Sequence, residues 1–325
     1  MAELIKNTDL DFSKAIVIDS TLIKTYRACQ QKYNYFENLH YVSSKRKAAP
    51  SFGIALHEGI AAFRTQRKAG TPYPLAFDIG QAVLQQAYQK HMPPESQSEV
   101  MQDDRRSLTN AIRLYGGFCQ HYEPLGYKYH YVETPFALYL GQISSFASDN
   151  FKKDVIYVGI IDAIIESNGI TYLSDIKSTA MNITENYLNG YQMDQGLIGY
   201  TIAARELLGI DTHHALVHCF WVQSPPKTKG KPLDEYYHTK ALYYDDEQLA
   251  EWHANTLLTI TEIEQHKLSN QWGLDYSSSC NMYNGCDYRG VCSLPPSARP
   301  QRLEMDFRKA IWTPLEAERL SPIDD

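Results

Sequence analysis

Apolar residues recur along this chain with two different periods. From residue 20 to about residue 126 the spacing is helical. Leu22, Tyr26, Cys29, Tyr33 and Phe36 form one stripe, with Ser20 or Thr21 as the N-cap, behind a short apolar run (Ala15, Ile16, Val17, Ile18) that reads as an edge strand or extended arm. A second helix is predicted from near Gly53, with His57 in its first turns and apolar positions continuing to Phe63. Residues 70–126 are mainly helical, broken at Thr71-Pro72-Tyr73-Pro74 and at Met92-Pro93-Pro94, and residues 97–122 read as one long helix.

From Tyr127 the period becomes two. Tyr129, Tyr131, Glu133 and Pro135 alternate with His130, Val132 and Thr134, and residues 136–140 continue the strand up to a predicted turn at 149–153. Residues 158–178 form a predicted hairpin, because β-branched and aromatic residues flank the turn signal Ser167-Asn168-Gly169. A helix over 191–208, strands over 215–222 and 236–244 and a helix over 245–266 follow, then a cysteine-rich loop over 277–292 and a tail without clear period from 295. This order predicts an α/β protein with a mixed central sheet flanked by helices and a helical N-terminal region. The expected divisions are 1–126, mainly helical; 127–270, a core; and 271–325, a cysteine-rich segment and tail packed with Cys29 into one compact unit.

The 325 residues are 43% hydrophobic, enough for a sizeable core. Neither an apolar leader nor a run of roughly 20 apolar residues is present, so the expectation is a soluble, cytoplasmic protein with no membrane partner. The net charge of −7 argues against a nucleic-acid protein working by bulk positive charge, while leaving room for local patches. Such patches are Lys45, Arg46 and Lys47, Arg105 and Arg106, and Lys227, Lys229 and Lys231; each could touch phosphate, although a solvated face is the commoner reading. The 24 tyrosines could stack on unpaired bases, but most are expected in or near the core.

In the hairpin, Asp175 and Lys177 lie two apart and project to one side, and the pairing can bring Asp162 alongside. Two convergent carboxylates are hard ligands for Mg²⁺ or Mn²⁺, and an adjacent ammonium can orient water and stabilise charge developing on a phosphate. Taken alone, Asp-x-Lys is as well explained by a weak surface ion pair. Glu133 could face the same cleft or sit on its rim, and a lone helical His57 is more often structural than a ligand. Of the cysteines, Cys119 and Cys219 stand in apolar surroundings and read as buried hydrophobes, whereas Cys280, Cys286 and Cys292 crowd together.

In their order, Gly53-Ile54-Ala55-Leu56-His57, Gly159-Ile160-Ile161-Asp162, Asp175-Ile176-Lys177 and the helix from Gln195 to Tyr200 resemble the RecB-like branch of the PD-(D/E)XK nuclease superfamily, which includes CRISPR-associated and phage exonucleases. The resemblance spans residues 21–292 and implies a restriction-endonuclease-like core. It implies a metal-dependent DNA nuclease, most readily a single-strand exonuclease in recombination, repair, phage DNA processing or CRISPR adaptation, with endonuclease activity also open. Asp162, Asp175, the Ile176 backbone carbonyl and His57 would hold Mg²⁺ or Mn²⁺, Lys177 would position water, and Gln195 would organise the site. Tyr200 follows Gln195 by one residue more than the family pattern, and Gln192 is a competing glutamine. The layout of Cys29 with Cys280, Cys286 and Cys292 is similar to that of members holding a [4Fe–4S] cluster; zinc or no metal are the alternatives. Expected partners are DNA, single-stranded or with free ends, and proteins of a recombination, repair or CRISPR complex. Rival readings are a non-catalytic DNA-binding or assembly subunit that keeps the fold, and a metal-clamped interaction domain.

Overall fold

The turn at Asn168 and Gly169 adopts left-handed backbone at both positions (φ 51° and 76°), the conformation that joins two strands tightly while matching their twist. Around it a computed structural model describes residues 4–6, 11–44, 47–92, 104–144, 152–224, 231–232, 235–276, 278–281, 285–316 and 319–323. In chain order the main elements are β1 (Ile5–Lys6), β2 (Ile16–Ile18), α1 (Ser20–Ala28), β3 (Tyr41–Ser43), α2 (Ala48–Lys68), α3 (Tyr73–His91) and α4 (Leu108–Tyr122). There follow β4 (Lys128–Ser144), β5 (Lys152–Ser167), β6 (Ile170–Thr179), α5 (Gln195–Leu208), β7 (His214–Trp221), β8 (Tyr237–Tyr243), α6 (Asp246–Ser269), β9 (Phe307–Trp312) and β10 (Leu320–Pro322). The architecture is mixed α/β, a central mixed sheet with flanking helices. Among the described residues no helix is long and apolar enough to cross a membrane.

The chain forms two units, and β4 and β5 each run from one into the other. The first is built from Lys45–Thr134 and Ile160–Asp245. Within it β5 pairs antiparallel with β6 from Ala163 opposite Ser174 to Ser167 opposite Ile170, β6 pairs parallel with β7, and β7 antiparallel with β8. Phe52, Leu56, Ile60 and Phe63 of α2 pack with Leu84, Leu114 and Phe118 of α3 and α4, and with Ile176 and Phe220 of β6 and β7. Helices α2 and α3 approach at two glycines: a Cβ on Gly59 would lie 2.6 Å from Leu84 Cβ, and one on Gly80 would lie 2.8 Å from Gly59 O.

The second unit is built from Leu4–Ser44, Pro135–Gly159 and Asp246–Asp325. In it β1 runs parallel to β4 and β2 parallel to β5, while β3, β9 and β10 form a separate antiparallel sheet. That second sheet was not expected from the tail, where Arg308 and Lys309 interrupt any alternation and only Ala310 of β9 is buried. Lys309 instead lays its ammonium 3.6 Å from the ring centre of Tyr41, its register partner on β3.

Three predicted helices have different bounds. The stripe from Leu22 to Phe36 is interrupted at Cys29, which is extended (φ −170°); Asp19, not Ser20 or Thr21, caps α1 by accepting from Leu22 N at 2.8 Å. Helix α4 begins only after Ser107, whose hydroxyl accepts from Asn110 N at 3.2 Å; residues 97–103 lie outside the described residues. Helix α5 begins at Gln195 because Asp194 accepts from Gly196 N and Leu197 N at 2.8 and 3.1 Å and ends the preceding 3₁₀ turn, Gly190–Met193. Helix α2, by contrast, starts earlier than Gly53, since Pro50 lies in its first turn, where a missing N–H costs no helical bond.

Candidate active site

Strand alternation divides β6 into two faces. Ser174 and Ile176 turn toward α2: Arg64 donates to Ser174 Oγ at 3.1 Å, and Ile176 is buried with Phe52 and Leu56. Asp175 and Lys177 turn the other way and meet each other, Nζ to Oδ2, at 2.6 Å. Asp175 is buried while the Lys177 side chain is 37% exposed, so the pair opens to solvent on its cationic side.

Asp162 closes this corner. The ladder between β5 and β6 stops at Ala163 and Ser174, and beyond it the Ile176 N–H donates to Asp162 Oδ2 at 2.9 Å. The same oxygen lies 3.5 Å from His57 Nδ1, which α2 delivers one turn beyond Gly53. Gly53 sits against β6, where a Cβ would come within 3.3 Å of Ser178 Oγ, so the helix carrying His57 can pack close to the strand carrying Asp175. His57, Asp162, Asp175, Ile176, Lys177 and Gln195 all belong to the first unit.

The electrostatics follow from this crowding. Burial pushes the Asp175 carboxyl above the ordinary carboxylate range and Asp162 adds to the effect, against the pull of Lys177 and His57. For Lys177, burial disfavours the ammonium, but Asp175 and Asp162, helped by Asp194, outweigh it and hold its pKa above the usual lysine value. Two carboxylates drawn together with one cation between them are a donor set that suits a hard divalent ion. Among the described residues, however, no group of three or more His, Cys, Asp or Glu side chains stands close enough together to form a finished metal centre.

Gln195 occupies the first position of α5 and is buried, whereas Gln192 is exposed in the preceding turn. Tyr200, half-buried, lies five residues along the same helix, roughly 140° around its axis from Gln195, so the two do not share a face. Glu133 is exposed on β4 with left-handed backbone (φ 45°). Two residues near the site were not singled out from the sequence. Asp194 caps α5 and acts on Lys177, and Tyr191 has its phenol pushed up by burial, with Tyr187, Cys219 and Asp175 contributing. The Asp-Gln pair at a helix start was a legible sign of the first; nothing distinguished Tyr191 among so many tyrosines.

The remaining candidates, Cys29, Cys280, Cys286 and Cys292, are free, half-buried thiols of the second unit. Cys286 N–H donates to Cys280 O at 3.0 Å. The Cys292 thiol is pushed up to about 11 by burial and then by Cys29 and Cys286, with Cys280 adding and Arg299 opposing. Cys119 and Cys219 are buried, and burial pushes each thiol up to about 12.

A family model for the PD-(D/E)XK nuclease superfamily matches residues 20–293, and this chain belongs to that superfamily. Its general activity is accordingly that of a metal-dependent nuclease. A search of curated proteins returned no match. Among solved structures, the crystal structure of SSO0001 is similar at 11% identity and a TM-score of 0.35, over 87% of this chain and 88% of that one, a likeness too loose to bear on function.

Proposed function

We propose that this chain is a RecB-branch deoxyribonuclease that hydrolyses phosphodiesters from the ends of single-stranded DNA. The observation that carries this reading is the convergence on Asp162 of the Ile176 amide and His57, beside the Asp175–Lys177 pair. Asp162, Asp175, the Ile176 carbonyl and His57 would hold Mg²⁺ or Mn²⁺, which when bound supplies a water of lowered pKa and a Lewis acid for the scissile phosphate. Lys177, kept protonated by its two carboxylate neighbours, donates to the phosphate oxygen on which charge accumulates and orients the attacking water. Asp194 shares in that task by stabilising the ammonium from the head of α5, and Gln195, buried beside it, keeps the helix start and the strand in register. His57 bears on Asp162 Oδ2 and fixes which carboxylate oxygen stays available.

The finer part of the proposal is a [4Fe–4S] cluster on Cys29, Cys280, Cys286 and Cys292. Its basis is the resemblance and the spacing of the four cysteines in the chain; among the described residues the thiols do not stand together as a group of three or more. Anaerobically purified protein would show absorbance near ~400 nm if the cluster is present; a colourless protein binding one zinc would replace it. The catalytic reading is tested by a time course on end-labelled single- and double-stranded DNA with Mg²⁺, Mn²⁺ or EDTA. Release of mononucleotides from single strands, abolished by EDTA, is the expected result. Tight binding with no cleavage of either form would leave a non-catalytic subunit.

A further inference from the structure

Around the C-terminal end of β7 four side chains alternate as cation, ring, ring, cation. Lys231 Nζ lies 4.9 Å from the ring centre of Trp221, the Trp221 and Tyr236 rings are 6.4 Å apart, and the Arg113 guanidinium lies 4.9 Å from the Tyr236 ring. The row is fastened to the sheet, since Trp221 N–H donates to Tyr236 O at 2.8 Å. Arg113 is held further by Nε donating to Asn110 Oδ1 at 2.8 Å and Nη2 donating to Gln223 O at 3.2 Å. Asn110 is completely buried, and its amide donates to Gln223 O at 2.8 Å, so its orientation is fixed from both ends.

Among the described residues Arg113 has no acidic contact: an amide oxygen, a peptide carbonyl and an aromatic face fix its orientation without neutralising its charge. In a chain of net charge −7, a guanidinium oriented by three neutral groups is arranged to receive an anion, and its planar fork matches phosphate. Lys231 is partly offset by Glu235 at 2.6 Å and is the weaker of the two cations. The Trp221 end of the row lies on the reactive face of the sheet, whereas Arg113 belongs to α4, which packs with Ile176 and Phe220 on the other face. Trp221 is the register partner of Thr179, and Cys219 that of Lys177, so Trp221 shares a face with Lys177 one strand over. Gln223 lies four residues beyond Cys219, a reach of roughly 13 Å along an extended chain.

We propose that Arg113 and Lys231, seated on Tyr236 and Trp221, form a backbone-phosphate site that holds a nucleic-acid strand where it passes the C-terminal end of β7. The proposal rests on the nuclease reading for the identity of the strand, but its test needs no cleavage. In EDTA, a short fluorescein-labelled oligothymidine is titrated by anisotropy against wild type, Arg113→Gln, Arg113→Lys and Lys231→Gln across a range of salt. Arg113→Gln should weaken binding on the order of tenfold and make the log–log salt slope shallower by about 0.7, the value for one lost contact to a single strand. Arg113→Lys should keep the slope and lose part of the affinity, and the exposed Lys231→Gln should weaken binding less than Arg113→Gln does. Unchanged affinity and slope in Arg113→Gln would overturn the site; if that variant does not fold, unchanged binding by Lys231→Gln does so instead. Loss of binding in these variants of a protein that never cleaves DNA would keep the site and remove the nuclease reading.

Discussion

Asp162 and Lys177 have different structural costs, and this makes them useful probes. Asp162→Ala leaves the Ile176 N–H without its acceptor, and Lys177→Ala leaves the buried Asp175 without its cation. In the proposed site Asp162→Ala removes a metal ligand and Lys177→Ala the cation beside the reacting phosphate, so both should lower cleavage at least ~100-fold, measured as release of labelled nucleotide. A Mn²⁺ ion held at the proposed site would relieve the repulsion between Asp162 and Asp175, so the ion should raise the unfolding midpoint of wild type. At a hundredfold excess over Kd the gain is about 3 kcal/mol, and a calorimetric scan should show it lost in Asp162→Ala. A second group answers to protons. His218 is completely buried, and burial, with Arg64 and His121, holds its pKa well below 6.5. The unfolded chain therefore binds a proton that the folded chain refuses, so stability falls as the pH drops below about 6.5. Between pH 7 and pH 5 this residue therefore costs the fold stability. Denaturant titrations at the two values should show it in wild type and not in His218→Gln.

At the level of elements, close packing of α2 on α3 decides where His57 sits. Gly59→Ala would set a Cβ 2.6 Å from Leu84 Cβ and 3.1 Å from Gly80 O, a clash with backbone that a rotamer change cannot relieve. The variant should be destabilised by about 1–3 kcal/mol by urea unfolding, and, because α2 must move, should also bind Mn²⁺ more weakly. The sequence made some elements plain and hid others. The hairpin was legible because Asn168-Gly169 is a turn signal with a backbone mechanism and the flanking residues suit strands. The start of α5 was read four residues early because apolar spacing continues through Tyr191 and Met193, and only the Asp194 cap ends the turn before it. The break at Cys29 left no trace in the periodicity, since the residues on either side keep the same stripe. Of the site, Asp162, Asp175 and Lys177 were legible from strand alternation, whereas the hydrogen bond from Ile176 depends on where the ladder stops, which no local pattern records.

At the scale of the molecule, length and composition allowed one large domain or two moderate ones, and the chain builds two units from interleaved segments. Sequence spacing could not show this, because β4 and β5 are continuous strands whose two halves belong to different units. Removal of residues 271–325 should therefore not yield a smaller folded protein. β3 would lose β9, its antiparallel partner, so circular dichroism of the fragment should show a broad melt without a cooperative step. The interleaving also imposes an order of events during synthesis. The segment Leu4–Ser44 leaves the ribosome long before its partners in Asp246–Asp325, and at roughly 5–20 residues per second the delay is about 10–40 s. For the first part of that interval Leu4–Ser44 has no other segment of its unit to pair with, and afterwards only Pro135–Gly159, through β4 and β5. The second unit closes only once residues 246–325 have been made.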